Sequence, residues 1–268
     1  MLVSEAISDI RIQNLVLPEF QREYVWNREQ AKQLLVSLTR KYPVGGLLFW
    51  KTQNPPELKN VDEMPEKLGT VQVILDGQQR LTTLYMLMTG DIPPYYIEQD
   101  ITTDIRELYY NLEDGDFQYF QPVRMRDDPR WVRVIDCFRP DSVNVFNIAQ
   151  EIHDDVQVAF QKAKSYDSSL NALTGIRDVN LPVQLVPSEA SLDDAIDVFD
   201  RVNSQGTRLT EAELALTHIT GKWSLARRTL KAKSDQLTEK RFSFDLTFLT
   251  RALVCTVTDH ALFEYIHS

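Results

Sequence analysis

Short apolar runs along the 268-residue chain have the length of β-strands and are too brief for helices. They occupy residues 10–17, 44–52, 71–75 and 181–186. The first run alternates in polarity and is interrupted at Pro18, so it predicts a short strand or an extended segment at the start of the chain. The runs at 44–52 and 71–75 are almost continuously apolar, which indicates buried strands.

Between these runs the apolar residues recur every three or four positions, which predicts helices. The predicted helices cover residues 27–42, 78–88, 148–166, 192–202 and 210–223, with further helix towards Ser268. Three of them begin with the polar pair of a capping box, namely Asn27 with Gln30, Ser191 with Asp194 and Thr210 with Glu213. Gly90 is typical of a helix end, and residues 203–206 predict another, with Gly206 in the left-handed conformation.

Elements in this order predict an α+β fold, with a small mixed-sheet core that is followed by a helical region. Residues 1–190 form the predicted core, in which about 91–180 are an insertion. Residues 191–268 form the predicted helical region. Its apolar period continues to the last residue without a stop signal, so we expect the natural protein to be longer.

Composition narrows the class of protein. The chain is 43% hydrophobic and 25% charged, as in ordinary soluble domains, and no apolar run reaches the ~18 residues that a membrane span needs. The first residues lack the pattern of a secretory signal peptide. Two distant cysteines, Cys137 and Cys255, predict neither a disulfide framework nor a zinc site, so we expect a cytoplasmic protein.

Charge is unevenly distributed along a chain whose formal net charge is −10. Residues 91–118 hold eight acids and one base, whereas residues 221–241 hold seven bases and two acids. Either both segments are solvated faces, or the basic segment is a strip that contacts nucleic acid through Arg227, Arg228 and Lys231.

The stretch DGQQR (76–80) stands where a predicted strand turns into a helix. A helix start directs backbone N–H groups at one point and favours an anion there, and Gly77 permits a tight turn. Gln78 and Gln79 add amide groups, Arg80 adds a guanidinium that suits phosphate, and Asp76 could hold Mg²⁺ or orient a water. The same residues are also explained by Asp76 capping the helix and Arg80 forming a surface ion pair.

Two further stretches contain polar groups in an apolar setting. LPEFQREYVW (17–26) places Gln21 and Arg22 among aromatic residues, which is compatible with a base or ribose pocket and equally with plain packing. FDRVNSQGTRLTEAEL (199–214) is explained by a turn between two helices. The four histidines lack metal-ligand spacing, and Glu57–Lys59 resembles part of a nuclease motif only in a proline-rich loop.

Together, LPEFQREYVW, ILDGQQRLTTL (74–84) and VFDRVNSQGTRLTEAEL (198–214) resemble, in their order and spacing, the N-terminal domain of GmrSD-type restriction endonucleases. The resemblance implies a ParB/sulfiredoxin-like fold and a module that binds and hydrolyses NTP. It assigns residues 76–80 to the NTP site, makes Arg80 the key arginine, and places Gln21 and Arg22 near the same site. In complete members of that family, a separate HNH-type nuclease domain cuts the DNA.

The resulting expectation is a nucleotide-binding, Mg²⁺-dependent NTP-hydrolysing regulatory domain of a prokaryotic anti-phage, modification-dependent restriction system. Asp76 and Arg80 are its candidate catalytic residues, and Gln21, Arg22 and residues 77–80 bind nucleotide. The partners are DNA, a nuclease in the same or another chain, and a second copy of the chain, with no membrane. The alternatives are a DNA-binding or modified-DNA-sensing module without nucleotide turnover, and a ParB-like nuclease.

Overall fold

The computed structural model describes residues 1–61, 69–203, 210–223, 225–260 and 263. The described residues form helices and short strands, which confirms an α+β fold with small mixed sheets. None of the helices in these ranges combines the length and the apolar composition needed to cross a membrane.

The strands are short, as the sequence pattern predicts. They are β1 (Leu15–Val16), β2 (Leu47–Thr52), β3 (Val71–Asp76), β4 (Leu108–Asn111), β5 (Phe117–Tyr119), β6 (Trp131–Arg133) and β7 (Val183–Val186).

Helices account for most of the remaining described chain. They are α1 (Val3–Arg11), α2 (Arg28–Thr39), α3 (Gln78–Thr89), α4 (Pro122–Met125), α5 (Val134–Cys137), α6 (Val145–Ile152), α7 (Val156–Thr174), α8 (Leu192–Asn203), α9 (Glu211–Lys222), α10 (Ala226–Glu239) and α11 (Leu246–Thr258).

Helix α1 differs from the sequence prediction, which begins the chain with a strand. Val3, Ala6, Ile7 and Ile10 are buried at helical spacing, and the carboxylate of Glu5 accepts the Leu2 N–H at 2.7 Å. That polar contact satisfies a backbone donor that a helix start leaves without an intrahelical partner. The apolar period of α1 is present in the sequence, but the alternating segment that follows it dominates the prediction.

Two other predicted elements have different bounds in the structure. The predicted strand at 44–52 begins only at Leu47, because Gly45 adopts a left-handed φ of 82° that is incompatible with a strand. The predicted helix at 148–166 is two helices, α6 and α7. Asp155 is the N-cap of α7, where its side chain accepts hydrogen bonds from the backbone N–H groups of Gln157 and Val158.

The chain divides into two compact units, each built from three separate stretches. The first unit comprises Met1–Gln13, Glu23–Gly46 and Gly77–Val183. The second unit comprises Asn14–Arg22, Leu47–Asp76 and Gln184–Ser268. Neither unit is continuous in sequence, unlike the predicted domains 1–190 and 191–268.

The second unit contains a mixed four-stranded sheet in the order β1-β3-β2-β7. Strand β1 runs parallel to β3, and β2 runs antiparallel to it. Alternate residues of β3 contribute Val71, Val73 and Leu75 to a core that also contains Ile196 and Phe199 of α8. Helices α9, α10 and α11 form a second cluster around Leu216, Ala226 and Leu230.

The first unit packs α1 and α2 against α3 and carries an antiparallel sheet in the order β5-β4-β6. Helix α3 is buried around almost its whole circumference, since all of its residues except Arg80 and Thr89 are buried. A helix enclosed in this way must satisfy its polar side chains internally. This constraint governs the residues of the candidate site.

The capping box of α2 yields a stability prediction. The Asn27 side chain accepts the Gln30 N–H at 2.9 Å, and Gln30 Oε1 accepts the Asn27 N–H at 3.0 Å. We expect Asn27→Ala to lower the free energy of unfolding by about 1 kcal/mol in urea denaturation. Because the two contacts form one reciprocal unit, the double variant Asn27→Ala/Gln30→Ala should lose less than the sum of the single losses. Strict additivity would contradict a cooperative cap.

Candidate functional site

The turn from β3 into α3 is made by a single residue. Strand β3 ends at Asp76, α3 begins at Gln78, and Gly77 between them has φ 95° and ψ 4°. Glycine adopts this left-handed conformation without the penalty that a Cβ brings. Because the N-cap is glycine, no cap side chain occupies the amide groups of the first turn, and those groups point towards any anion at the helix start.

Arg80 is held at a second glycine. Its Nη1 donates to the carbonyl oxygen of Val44 at 2.8 Å. Gly45 has φ 82°, and a Cβ on it would lie 2.7 Å from the same Nη1. The absence of a side chain at Gly45 therefore makes room for the guanidinium. Sequence reasoning missed this role and placed Gly45 in a strand, although the pair Gly45–Gly46 after Pro43 is itself a loop signal.

Gln79 is committed to the segment that precedes α2. Its side chain is 7% exposed, and its Oε1 accepts the N–H groups of Val25 at 3.0 Å and Trp26 at 3.2 Å. Its Nε2 donates to the carbonyl oxygen of Glu23 at 3.0 Å. The amide group thus makes three internal hydrogen bonds, so only the backbone of Gln79 is suited to contact a ligand.

Gln78 and Thr83, one turn later in α3, form hydrogen bonds with tyrosine hydroxyl groups. Gln78 is 6% exposed, and its Oε1 accepts a long 3.4 Å hydrogen bond from the hydroxyl group of Tyr96. Thr83 donates to the carbonyl oxygen of Gln79, so the buried Tyr24 hydroxyl must be the donor in its 2.8 Å contact with Thr83. Burial raises the pKa of Tyr24, which keeps that hydroxyl protonated.

In the second unit, Gln21 is attached to the last residues of β3. It is 3% exposed, and its Nε2 donates to the carbonyl oxygens of Leu75 at 2.7 Å and Ile74 at 3.4 Å. Phe20 packs on Phe199 with ring centroids 5.8 Å apart. The amide of Gln21 therefore fixes the end of the strand that carries Asp76.

Arg22 forms an ion pair with Glu213 at 3.6 Å, with side chains that are 15% and 28% exposed. The same Glu213 completes the capping box of α9, because its carboxylate accepts the Thr210 N–H at 2.7 Å. Thr210 in turn accepts the Glu213 N–H at 3.2 Å. The first and third sequence stretches thus meet within the second unit. Residues 204–209 between α8 and α9, with the predicted turn at Gly206, lie outside the described residues.

Asp76 is half-buried at the end of β3. Within the described ranges, no group of three or more His, Cys, Asp or Glu residues could hold a metal ion. A magnesium ion at Asp76 would therefore need oxygen ligands from phosphate and water, which is the usual way in which Mg²⁺ binds beside a nucleotide.

The predicted basic strip is only partly at the surface. Arg228 of α10 is exposed and Lys231 is half-buried, whereas Arg227 is only 4% exposed. An arginine with so little exposed area offers little to a phosphate. Among these three residues, Arg228 is the side chain best placed to meet nucleic acid.

Comparison of the sequence with known proteins shows which family it matches. Residues 3–220 match the family described as GmrSD restriction endonuclease, N-terminal domain. An uncharacterized protein of Methanocaldococcus jannaschii is 32% identical over 80 residues, which are 26% of this chain and 14% of that protein. The matched part of the chain thus spans about one-seventh of the length of this relative.

The Gln79 contacts yield a graded prediction. Gln79→Leu removes three hydrogen bonds and leaves the N–H groups of Val25 and Trp26 without their acceptor, so we expect a loss of about 3 kcal/mol in the free energy of unfolding. Gln79→Glu keeps an acceptor for both N–H groups, but while ionised it sets a carboxylate oxygen against the Glu23 carbonyl oxygen. Its loss should therefore be clearly smaller than that of Gln79→Leu only at low pH, where the protonated group can donate. Urea denaturation measures both variants. Equal losses at low pH would contradict the two accepted hydrogen bonds.

The Gln21 contacts yield a pH-dependent prediction. Gln21→Glu places a carboxylate against two carbonyl oxygens, and we expect it to lower stability by about 3 kcal/mol at pH 8. This environment raises the folded-state pKa of the new carboxyl group above its unfolded value. The destabilisation is then full above the folded pKa and shrinks as the pH falls, because the protonated group can donate.

Gln21→Leu is the matched control, since its difference from the wild type should not change between pH 5 and pH 8. A Gln21→Glu variant whose deficit is also constant over this range would contradict the assigned geometry. Thermal or urea unfolding at the two pH values measures both variants.

Proposed function

Since the chain belongs to the family of GmrSD restriction endonuclease N-terminal domains, we propose that it binds the phosphate groups of a nucleoside triphosphate at the start of α3. The observation that carries this proposal is the glycine turn at Gly77 together with the oriented guanidinium of Arg80. Both belong to the first unit and to one turn of one helix. Within that turn, Arg80 is the residue that is not buried.

Backbone and side chain have complementary tasks at this position. The N–H groups of the first turn and the helix dipole, which is equivalent to about half a positive charge, attract a phosphate. The guanidinium of Arg80 is oriented through Nη1 by the Val44 carbonyl oxygen at 2.8 Å. A planar guanidinium that is oriented in advance loses less side-chain freedom when it binds a phosphate. The buried side-chain amides of Gln78 and Gln79 hold this turn through hydrogen bonds with the Tyr96 hydroxyl group and with the backbone of residues 23–26.

Asp76 directly precedes Gly77, and its carboxylate suits Mg²⁺ in a site that phosphate oxygens complete. The bound ion would neutralise charge on the phosphates. Gln21 contributes indirectly, because its amide holds the carbonyl oxygens of the two residues before Asp76. Asp76 is accordingly the residue that we assign to hydrolysis, either as a metal ligand or as the group that orients a water.

In the whole protein, nucleotide binding would regulate a nuclease that acts on foreign DNA. We place the nuclease in another part of the protein or in a partner chain. This proposal follows from the family, whose description names a restriction endonuclease and its N-terminal domain.

Removal of the Arg80 guanidinium tests the phosphate site. We expect Arg80→Ala to weaken NTP binding at least tenfold, since hydrogen bonds to charged groups contribute about 1.5–3 kcal/mol. Isothermal titration calorimetry with ATP, GTP, CTP and UTP in the presence of Mg²⁺ measures this change. Arg11→Ala, which removes an exposed arginine from α1 of the same unit, is the matched control.

Separation of binding from hydrolysis uses a second variant. Asp76→Asn should retain most of the affinity measured by calorimetry and lose phosphate release in the presence of Mg²⁺. Unchanged affinity in a folded Arg80→Ala variant would refute the phosphate site. Unchanged phosphate release in Asp76→Asn would refute only the hydrolytic role of Asp76.

A further inference from the structure

Three phenylalanines form a stacked column between α10 and α11 of the second unit. The rings of Phe242 and Phe244 are nearly parallel, with an interplanar angle of 6° and centroids 6.2 Å apart. Phe244 stacks on Phe248 with an angle of 18° and centroids 4.5 Å apart. The outer members, Phe242 and Phe248, are 56% and 51% exposed. We refer to Phe242, Phe244 and Phe248 as the phenylalanine column.

Backbone hydrogen bonds hold the column in place. The N–H of Phe242 donates to the carbonyl oxygen of Leu237 at 2.9 Å, and that of Arg241 donates to Thr238 at 2.9 Å, which together form a Schellman motif. Ser234 Oγ donates to the carbonyl oxygen of Phe244 at 2.7 Å. The rings are thus presented by a fixed turn, so their exposure does not come from a loose chain.

Arg241 occupies the position in this motif that usually holds glycine. Its φ is 67°, in the left-handed region that disfavours residues with a Cβ. A glycine there would relieve the backbone, whereas the arginine adds an exposed cation next to Phe242 in the sequence.

Exposed basic side chains flank the column in a chain that is acidic overall, and the acids Asp235 and Glu239 precede them on α10. Residues 240–251 contain the bases Lys240, Arg241 and Arg251, all exposed, and one acid, Asp245. The Asp245 carboxylate is used as the cap of α11, where it accepts the Phe248 N–H at 2.8 Å. The surface therefore presents aromatic rings with cations at both ends of the segment.

We propose that the phenylalanine column and its flanking cations bind single-stranded nucleic acid. Unpaired bases stack on aromatic faces, while lysine and arginine contact the phosphates that link them. A duplex keeps its bases stacked on each other and would use only the cations. The surface lies beyond residues 3–220, which match the family. The inference is independent of the proposed NTP site, which shares no residue with this surface.

The test uses two oligonucleotides with equal charge. Fluorescence anisotropy with the full 268-residue chain compares a labelled 20-nucleotide oligo-dT with an abasic strand of the same length. Stacking predicts that the wild type binds oligo-dT at least tenfold more tightly than the abasic strand. Affinity for both strands should fall with increasing salt.

Ring variants identify the stacking surface. Phe248→Ala and Phe248→Leu should each weaken oligo-dT binding about tenfold and leave abasic binding nearly unchanged, whereas Phe248→Tyr should retain both affinities. Phe160→Ala is the matched control, because Phe160 is 52% exposed in the first unit with the Lys164 amine 4.7 Å from its ring centroid. This control should bind like the wild type.

Arg241→Gly separates charge from stability. It removes a cation and relaxes the left-handed backbone, so the melting temperature should stay or rise while affinity for both strands falls equally. Several results would overturn the proposal. These are no binding of oligo-dT at low salt, equal affinity for oligo-dT and the abasic strand, and ring variants that change only the oligomeric state in analytical ultracentrifugation.

Discussion

The left-handed backbone at Gly77 is the constraint on which the surrounding structure depends. Extended chain arrives at Asp76 and helix starts at Gln78, so one residue performs the whole change of direction. A shift of one residue would turn the end of β3 over and rotate α3 by about 100°. Either change would remove the partners of Gln21 at β3 or those of Gln79 before α2. The chain also passes from the second unit to the first at this bond.

The polar residues around this turn have distinct tasks that their residue types do not reveal. Gln21 and Gln79 are buried and satisfy backbone groups, as buried amides must. Arg22 is paired with Glu213, which also caps α9. Arg80 is charged and partly exposed, and the Val44 carbonyl oxygen orients its guanidinium. In our proposal these buried amides support the turn, whereas backbone amides, the Arg80 guanidinium and the Asp76 carboxylate contact the ligand.

The two surfaces that we propose for function would bind their ligands through different interactions. The start of α3 offers directed N–H groups and one cation, which suit a compact anion. The phenylalanine column offers ring faces with cations at its edges, which suit a flexible polyanion with unpaired bases. The phenylalanine column lies within the second unit. A chain with a net charge of −10 can carry both, because each depends on local charge and geometry.

Local patterns in the sequence were sufficient for most elements. Helical spacing and capping boxes identified α2, α8 and α9, and the boxes at Asn27, Ser191 and Thr210 are present as predicted. The apolar run at 71–75 identified β3, and Gly90 ends α3 in the left-handed conformation. These features depend on contacts between residues three or four apart, which a sequence displays directly.

Distant contacts decided the rest. The role of Gly45 depends on Arg80, 35 positions later, and the partners of Gln79 lie more than 50 positions earlier. The burial of Arg227 and the stacking of Phe242 on Phe244 likewise depend on how helices pack. The sequence by itself determined which residues turn, cap and alternate, since those properties are set by neighbours. Only the tertiary structure decided which polar groups are buried in internal hydrogen bonds and which stay partly exposed, because burial is a property of the packed chain.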